Sequence, residues 1–324
     1  MTNAEIFDTN SEILLIYEAK MCNPNGDPDD ENRPRIDRKT EKNLVSDVRL
    51  KRFFRNYIID RYGEEFIWVS KVEGQPVRAD ERFKMLSKDL NPDDVLKKCI
   101  DARLFGATIP IGGEDKDKGS AKSFTGPLQF SWGYSLHPVE LVESSTITSM
   151  FMGREVGEEA ERYGTIGKDW RVHYSLIAFY GVINGLKAKA TKARPLDIQI
   201  FDNLLYKSIN LDATTRSKIG HWTHLYLRIE YKNPEFLMGD LRKFLVAEFD
   251  KDKPIRSFED LSINFEQLLR TIREKQDFIR HVFVYEEEEC KRRYDISRAL
   301  RDILGDRFAE LPHDINVNRD VLKL

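Results

Sequence analysis

DWRVHYSLIAFYGVIN, residues 169–184, is rich in β-branched and aromatic residues and is the strongest strand signal in the chain. Upstream, FTGPLQFSWGYSL (124–136) alternates Leu128, Phe130 and Trp132 with Gln129 and Ser131, which predicts a second strand. The aliphatic run Ile13 to Tyr17 predicts a third, buried one, and HWTHLYLRIEY (221–231) a fourth. Between them the spacing turns helical. Leu50, Phe53, Phe54 and Tyr57 recur at three- and four-residue intervals between Ser46 and Asp60, with Ser46 or Asp47 able to cap the start. NPDDVLKKCIDARLF (91–105) predicts a helix opened by Asn91 with Pro92 in its first turn. A further helix is expected over Arg194–Lys207, and a mostly helical pattern from PEFLMGDLRKFLVAEF (234–249) to the end. Residues 62–90 and 144–169 look like insertions. Strands separated by helices and long insertions predict an α+β sheet domain.

The chain has 324 residues, enough for a substantial core as one large domain or two ordinary ones. It is 40% apolar and 33% charged, and 52 Lys/Arg nearly balance 55 Asp/Glu for a net charge of −3. Global charge therefore does not identify a partner, and only a local patch can. Cys22, Cys99 and Cys290 are widely spaced and odd in number, with no CxxC and no zinc-like Cys/His spacing. With no secretory leader evident and apolar runs too short for a bilayer, a reduced, soluble, cytoplasmic protein is expected, with no metal or other cofactor.

The stretch NPNGDPDDENRPRID (23–37) raises two competing readings. Asp27, Asp29 and Glu31 alternate like the first ligands of a calcium loop. However, Asn32 stands where that loop needs glycine, Arg38 stands where it needs a bidentate Glu, and Arg33 and Arg35 repel a cation. The phosphate reading has more behind it. From Arg33 to Arg61 ten Lys/Arg face four Asp/Glu, a local charge of +6. At 100° per residue Arg49, Arg52 and Asn56 share one face of the 46–60 helix, with Lys51 and Arg55 on its flank, opposite the apolar stripe. A merely solvated face is the plain alternative, but such faces mix signs at four-residue spacing, and this one has no acid between Asp47 and Asp60. Guanidinium groups in a row suit a polyanion backbone.

Enzyme motifs are missing: no phosphate-binding GxxxxGK[ST], no dinucleotide glycine fingerprint, no GxSxG and no HExxH. His221 and His224 lie three apart on a predicted strand and so point to opposite faces, which argues against a joint role. His137 and His173 are flanked by apolar residues and are expected to pack. TRSKIG (215–220) and GTIGKDWR (164–171) place Arg216, Lys218, Lys168 and Arg171 just ahead of strands, either as ordinary charged turns or as further cationic ends of a phosphate track.

NPNGDPDDENRPRID followed by LVSDVRLKRFFRNYI closely resembles the amino-terminal signature of the backbone subunits of type I CRISPR surveillance (Cascade) complexes, nearest the subtype I-B branch with subtype I-C as its relative. The resemblance continues through FGATIPI, TGPLQFSWGYSLHPVE, SSTITS, GTIGKDWRVHYSLIAFYGVIN and TRSKIG, over about residues 12–232. It implies a modified RRM- or ferredoxin-like palm over 1–250, with a finger-like insertion at 62–102 and a β-hairpin thumb at about 141–171, followed by a mostly helical segment 251–324. It also implies a structural, non-catalytic RNA-binding subunit. Copies stack in a right-handed filament along one CRISPR RNA and present its spacer to a target DNA strand, beside a large subunit and repeat-end-binding subunits. Candidate RNA-binding residues are Asn23, Asn25, Arg33, Arg35, Arg49, Lys51, Arg52, Arg55, Gln129, Lys168, Arg171, Arg216 and Lys218. Met150, Phe151, Met152 and Ile166 are candidates for a thumb wedge. The aromatic RNP1 pattern of ordinary RRMs is absent, so bases are not expected to stack across the sheet. The rival reading is an RRM-like endoribonuclease, with Asp115 and Asp117 of GGEDKDKGS as its carboxylates.

Overall fold

A computed structural model describes residues 5–111, 120–143, 146–152, 164–211 and 215–324, except the side chains of 148–152 and 164–166. Its centre is an eight-stranded mixed sheet: β1 (Ser11–Cys22), β2 (Lys42–Val45), β3 (Leu128–Phe130), β4 (Gly133–Pro138), β5 (Val172–Ile183), β6 (His221–Tyr231), β7 (Ile279–Glu286) and β8 (Phe308–Glu310). The strand order is β8-β7-β6-β1-β5-β4-β2, with β3 pairing β5 beside β4. All neighbours are antiparallel except β7 and β8. The predicted strands are present, and β1 is longer at both ends than its aliphatic run. The 124–136 stretch opens on the end of a separate strand, Ser120–Thr125, and continues as β3 and β4, interrupted at Ser131 and Trp132.

β1 runs through the middle and faces two cores. Ile13, Leu15, Tyr17 and Ala19 point to one side, where α1 (Asp47–Tyr62) and α2 (Pro195–Leu211) pack. Leu50, Phe53, Phe54 and Ile58 supply the buried stripe of α1, each contributing about 1.5–3 kcal/mol by leaving water. Leu14 and Ile16 point to the other side. That side is covered by the carboxy-terminal part of the chain: α3 (Glu266–Glu274), α4 (Glu288–Tyr294), α5 (Ile296–Leu304) and the strand pair Val246–Phe249/Leu261–Asn264.

Three expectations are corrected. PEFLMGDLRKFLVAEF is not a helix: Gly239 has φ +86°, the Asp240 side chain caps only a short 3-10 turn at Leu241–Phe244, and the next residues form a strand. The 251–324 segment, expected to be mostly helical, also supplies β7 and β8 to the central sheet. The 91–105 helix is two, Pro92–Lys98 and Ile100–Phe105, broken at an extended Cys99. The buried Arg103 side chain takes the carbonyls of Leu96 (2.8 Å) and Lys97 (3.4 Å) that the first helix leaves at its end. Asn91 does cap that helix, accepting from the Asp93 N–H.

Residues 64–105 build a satellite core around Trp68, Phe83, Leu86, Val95 and Leu96, completed by the hairpin Gly106–Ile111/Ser120–Thr125. Thr146–Met152 and Gly164–Lys168 also pair antiparallel. Met150, Phe151 and Met152 lie on the first of these strands and Ile166 on the second, their side chains outside those described; Asp115 and Asp117 lie outside the described residues altogether. Among the described residues no helix is long and apolar enough to cross a membrane.

Candidate nucleic-acid interface

The carboxyl end of β1 and the amino ends of β5 and β6 meet at one edge of the sheet, since Cys22 pairs with Val172 and Ala19 with His221. Three loops far apart in sequence therefore converge there: 23–37, 168–171 and 215–220. This is how the structure gathers most of the predicted basic positions.

The 23–37 loop is a miniature ribbon. Gly26 and Asp27 pair with Pro34 and Arg33, and Glu31 and Asn32 turn the chain with φ of +46° and +59°. A Cβ on Gly26 would meet the Asn32 carbonyl oxygen at 2.6 Å, so the close approach requires glycine. Asp29, Asp30 and Glu31 are exposed at the tip, where acidic side chains favour a turn. Asp27, the first residue of the calcium-like pattern, instead pairs with Arg35 at 3.0 Å.

Asn23 and Asn25 do not offer their amides outward, contrary to expectation. Asn23 is buried and its Nδ2 donates to the Asn32 carbonyl at 2.7 Å. Asn25 Oδ1 accepts from both the backbone N–H (2.8 Å) and the hydroxyl (2.9 Å) of Ser46, the N-cap of α1. Both side chains fasten the loop.

The basic groups differ in the same way. Arg33 is exposed, with its guanidinium 4.9 Å from the Trp170 ring, which Lys168 approaches at 5.9 Å. Arg35 is partly exposed and lies 5.7 Å from the Trp132 ring. Arg171 is anchored: it pairs with Asp169 at 2.8 Å and donates to the carbonyls of Met21 (2.7 Å) and Arg216 (3.2 Å). The Arg216 side chain is 64% exposed and only 3.7 Å from Asp169, so it is the freer cation of the two. Lys218 donates to the Asn23 and Pro24 carbonyls, tying the third loop to the first.

On α1 the expected row of five splits. Arg49, lying 3.9 Å from the Phe53 ring, Arg52, donating to the Val69 carbonyl at 3.2 Å, and Asn56 are half-buried along one side. Lys51 and Arg55 are corrected: both are buried. Lys51 bridges Asp47 (3.0 Å) and Gln129 (2.9 Å), and Arg55 pairs with the fully buried Asp101 at 2.8 Å. Helical spacing put them on the outer flank, but the 64–105 layer folds over that flank. Gln129 is committed as well, donating to the Phe105 and Gly126 carbonyls.

Sequence reasoning overlooked Trp132, Trp170 and Arg38. Arg33, Arg35 and Arg38 line an open recess of about 470 Å³ together with Trp132, itself 47% exposed. The available signal was tryptophan flanked by small or charged residues, in SWG and KDWR. Cations beside accessible indole faces can grip phosphate and stack a base without reading its identity.

Acid–base chemistry has little to draw on in this region. His221 packs against Tyr17 and Phe53, and burial pushes its imidazole down to about 3. Cys22 beneath it is pushed up to about 12, again mainly by burial. His137 is brought down to about 4 by burial; its Nδ1–H donates to the Pro138 carbonyl at 2.6 Å, and its Nε2 accepts from the Leu176 N–H at 3.2 Å. These are packed neutral histidines, as expected for His137.

Comparison with known proteins places the chain in a family. The family model for CRISPR-associated protein Cas7 matches residues 9–266. A protein of Haloferax volcanii named CRISPR-associated protein Cas7 is 29% identical, the match covering 94% of this chain and 95% of that one. A chain of a solved structure titled "CRISPR RNA-guided surveillance complex, pre-nicking" shares the fold with a TM-score of 0.52 at 12% identity, covering 86% of this chain and 93% of its own. With four-fifths of its length matched by the family model, this chain belongs to the CRISPR-associated protein Cas7 family.

Proposed function

We propose that the protein is the RNA-gripping backbone subunit of a CRISPR surveillance complex, of the subtype I-B kind, acting in the cytoplasm without catalysis. The observation that carries this is the convergence of three loops into one cationic edge bearing Arg33, Arg35, Lys168 and Arg216 beside two tryptophans. Such a surface holds a polyanion regardless of sequence, which a subunit carrying every spacer requires. Sequence reading is left to base pairing. The strand order β6-β1-β5-β4, with α1 after β1 and α2 after β5 on one face, supports an RRM-like palm. The opposite face, where an ordinary RRM stacks bases, is occupied by the chain's own α3, α5 and neighbouring strands, which supports a grip at the edge. In this reading 62–102 is the finger and the Thr146–Met152/Gly164–Lys168 pair belongs to the thumb, with Met150, Phe151, Met152 and Ile166 as its wedge. Further copies of the chain, the large subunit and the repeat-end-binding subunits are its protein partners, and target DNA is engaged through the guide.

The test is a native gel of the protein titrated onto labelled guide-length RNA, with a denaturing gel alongside. The expected result is a ladder of shifts ending in one large complex with intact RNA, lost in the triple variant Arg33→Glu/Lys168→Glu/Arg216→Glu. RNA cleavage, or unchanged binding by that variant, would overturn the reading.

A further inference from the structure

We propose that His224, Glu287 and Glu289 form a site for a transition-metal dication of the zinc class, independent of RNA binding. One imidazole nitrogen and one oxygen from each carboxylate all lie within 4.8 Å of one another. His224 is 1% exposed, on β6. Its Nε2 meets Glu18 Oε2 of the neighbouring β1 at 3.2 Å, and since a carboxylate accepts, that nitrogen carries the proton. Nδ1 is buried and has no hydrogen-bond partner. It faces Glu287 Oε2 at 3.7 Å, too far for a hydrogen bond.

A buried Nδ1 with no hydrogen-bond partner, facing a carboxylate, calls for a cation between them, either a metal ion or a proton on Nδ1, and the experiment below separates the two. Two ligand atoms each about 2.0–2.1 Å from one tetrahedral ion sit about 3.4 Å apart; the Nδ1–Oε2 pair at 3.7 Å is near that spacing, and the three-atom set, spread over as much as 4.8 Å, draws in around the ion. The Glu18–His224 pair is the carboxylate–imidazole arrangement that orients a metal-binding histidine. Phe258 stacks on the imidazole at 3.9 Å between ring centroids and 14° between planes, which holds the ring in that orientation. The Glu287 N–H donates to the His224 carbonyl at 2.9 Å, so the strand that supplies the histidine and the turn that supplies the acids are already joined. One nitrogen and two carboxylate oxygens, with water completing the set, suit Zn²⁺ or Co²⁺ better than Mg²⁺ or Ca²⁺, which take oxygen alone. The ion would pin the start of α4 to β6, tying the carboxy-terminal segment to the central sheet. No ligand spacing betrays the site in the sequence, because 62 residues separate His224 from Glu287.

The experiment uses the full-length protein, stripped with EDTA and titrated with Zn²⁺ by calorimetry and with Co²⁺ by visible absorption. The expected result is one ion per chain, Co²⁺ bands of a nitrogen–oxygen site, and a higher Tm with Zn²⁺. Glu289→Gln, at a half-buried helix position, should keep the metal-free Tm and weaken Zn²⁺ binding about tenfold or more. Glu18→Gln should weaken it less. Overturning results are wild-type protein that binds no Zn²⁺, or Glu289→Gln binding as tightly as wild type. An NMR spectrum with both His224 nitrogens protonated at neutral pH in the presence of Zn²⁺ would likewise replace the ion with an ionic triad.

Discussion

Arginine serves two purposes in this chain, and burial separates them. Arg33 and Arg216 project outward, whereas Arg55 is locked onto Asp101, whose carboxylate also accepts the Trp68 N–H. Replacing Arg55 by Ala leaves that carboxylate buried and short of its cation, so the expected loss is about 3–5 kcal/mol of stability in urea unfolding. Arg33→Ala should stay within about 0.5 kcal/mol of wild type while weakening RNA binding. A variant lacking Arg49, Arg52 and Arg55 together, the natural choice from helical spacing, would therefore conflate binding with folding. Histidine gives a second residue-level prediction. His137 and His221 lie well below their ordinary value near 6.5, with burial the main cause. Below pH 6.5 the unfolded chain takes up protons that the folded chain refuses. Stability is thus fully present above that pH and falls as pH drops toward 4, with each histidine approaching a slope of about 1.4 kcal/mol per pH unit. His137→Gln keeps an acceptor for the Leu176 N–H but cannot titrate, and urea midpoints at pH 7, 5.5 and 4.5 should fall less steeply for it than for wild type.

For the elements, the decisive joint is between the 23–37 loop and α1. Helix capping was legible in the sequence, and Ser46 is the cap, accepting from the Arg49 N–H. What spacing did not convey is that Asn25 holds the cap itself, through both the N–H and the hydroxyl of Ser46. Asn25→Ala should cost about 1–2 kcal/mol and weaken RNA binding without removing any charge, because the ribbon bearing Arg33 and Arg35 loses its anchor. Calorimetric stability and a gel-shift titration on the same preparation check both halves; normal RNA affinity in a destabilised variant would dissociate them. The strands read well wherever β-branched and aromatic residues cluster, as in β5 and β6. The same signal in IRHVFVYE, now β7, was submerged in a stretch whose charged neighbours look helical.

For the whole molecule, one sheet separates two cores, and the second is closed by residues from Phe236 onward. A fragment ending at residue 250 would expose Leu14, Ile16, Leu176 and Leu225 together with the open edge of β6, so it should lose cooperative unfolding and aggregate. Circular dichroism melts of the fragment and the full chain make the comparison, and a sharp, soluble melt for the fragment would contradict it. RNA affinity of the full chain should fall linearly with the logarithm of salt, with a slope of about −0.7 per phosphate contacted, and Arg33→Glu/Lys168→Glu/Arg216→Glu should flatten it. Periodicity and residue type are properties of neighbours along the chain. They sufficed for the α+β class and for the apolar stripe and cap of α1. Which cations stay in water, how three loops meet at one edge, and what covers the second face depend on contacts between residues tens to hundreds of positions apart. Arg55 and Asp101, 46 apart, and Lys218 and Asn23, 195 apart, are joined only when the sheet closes.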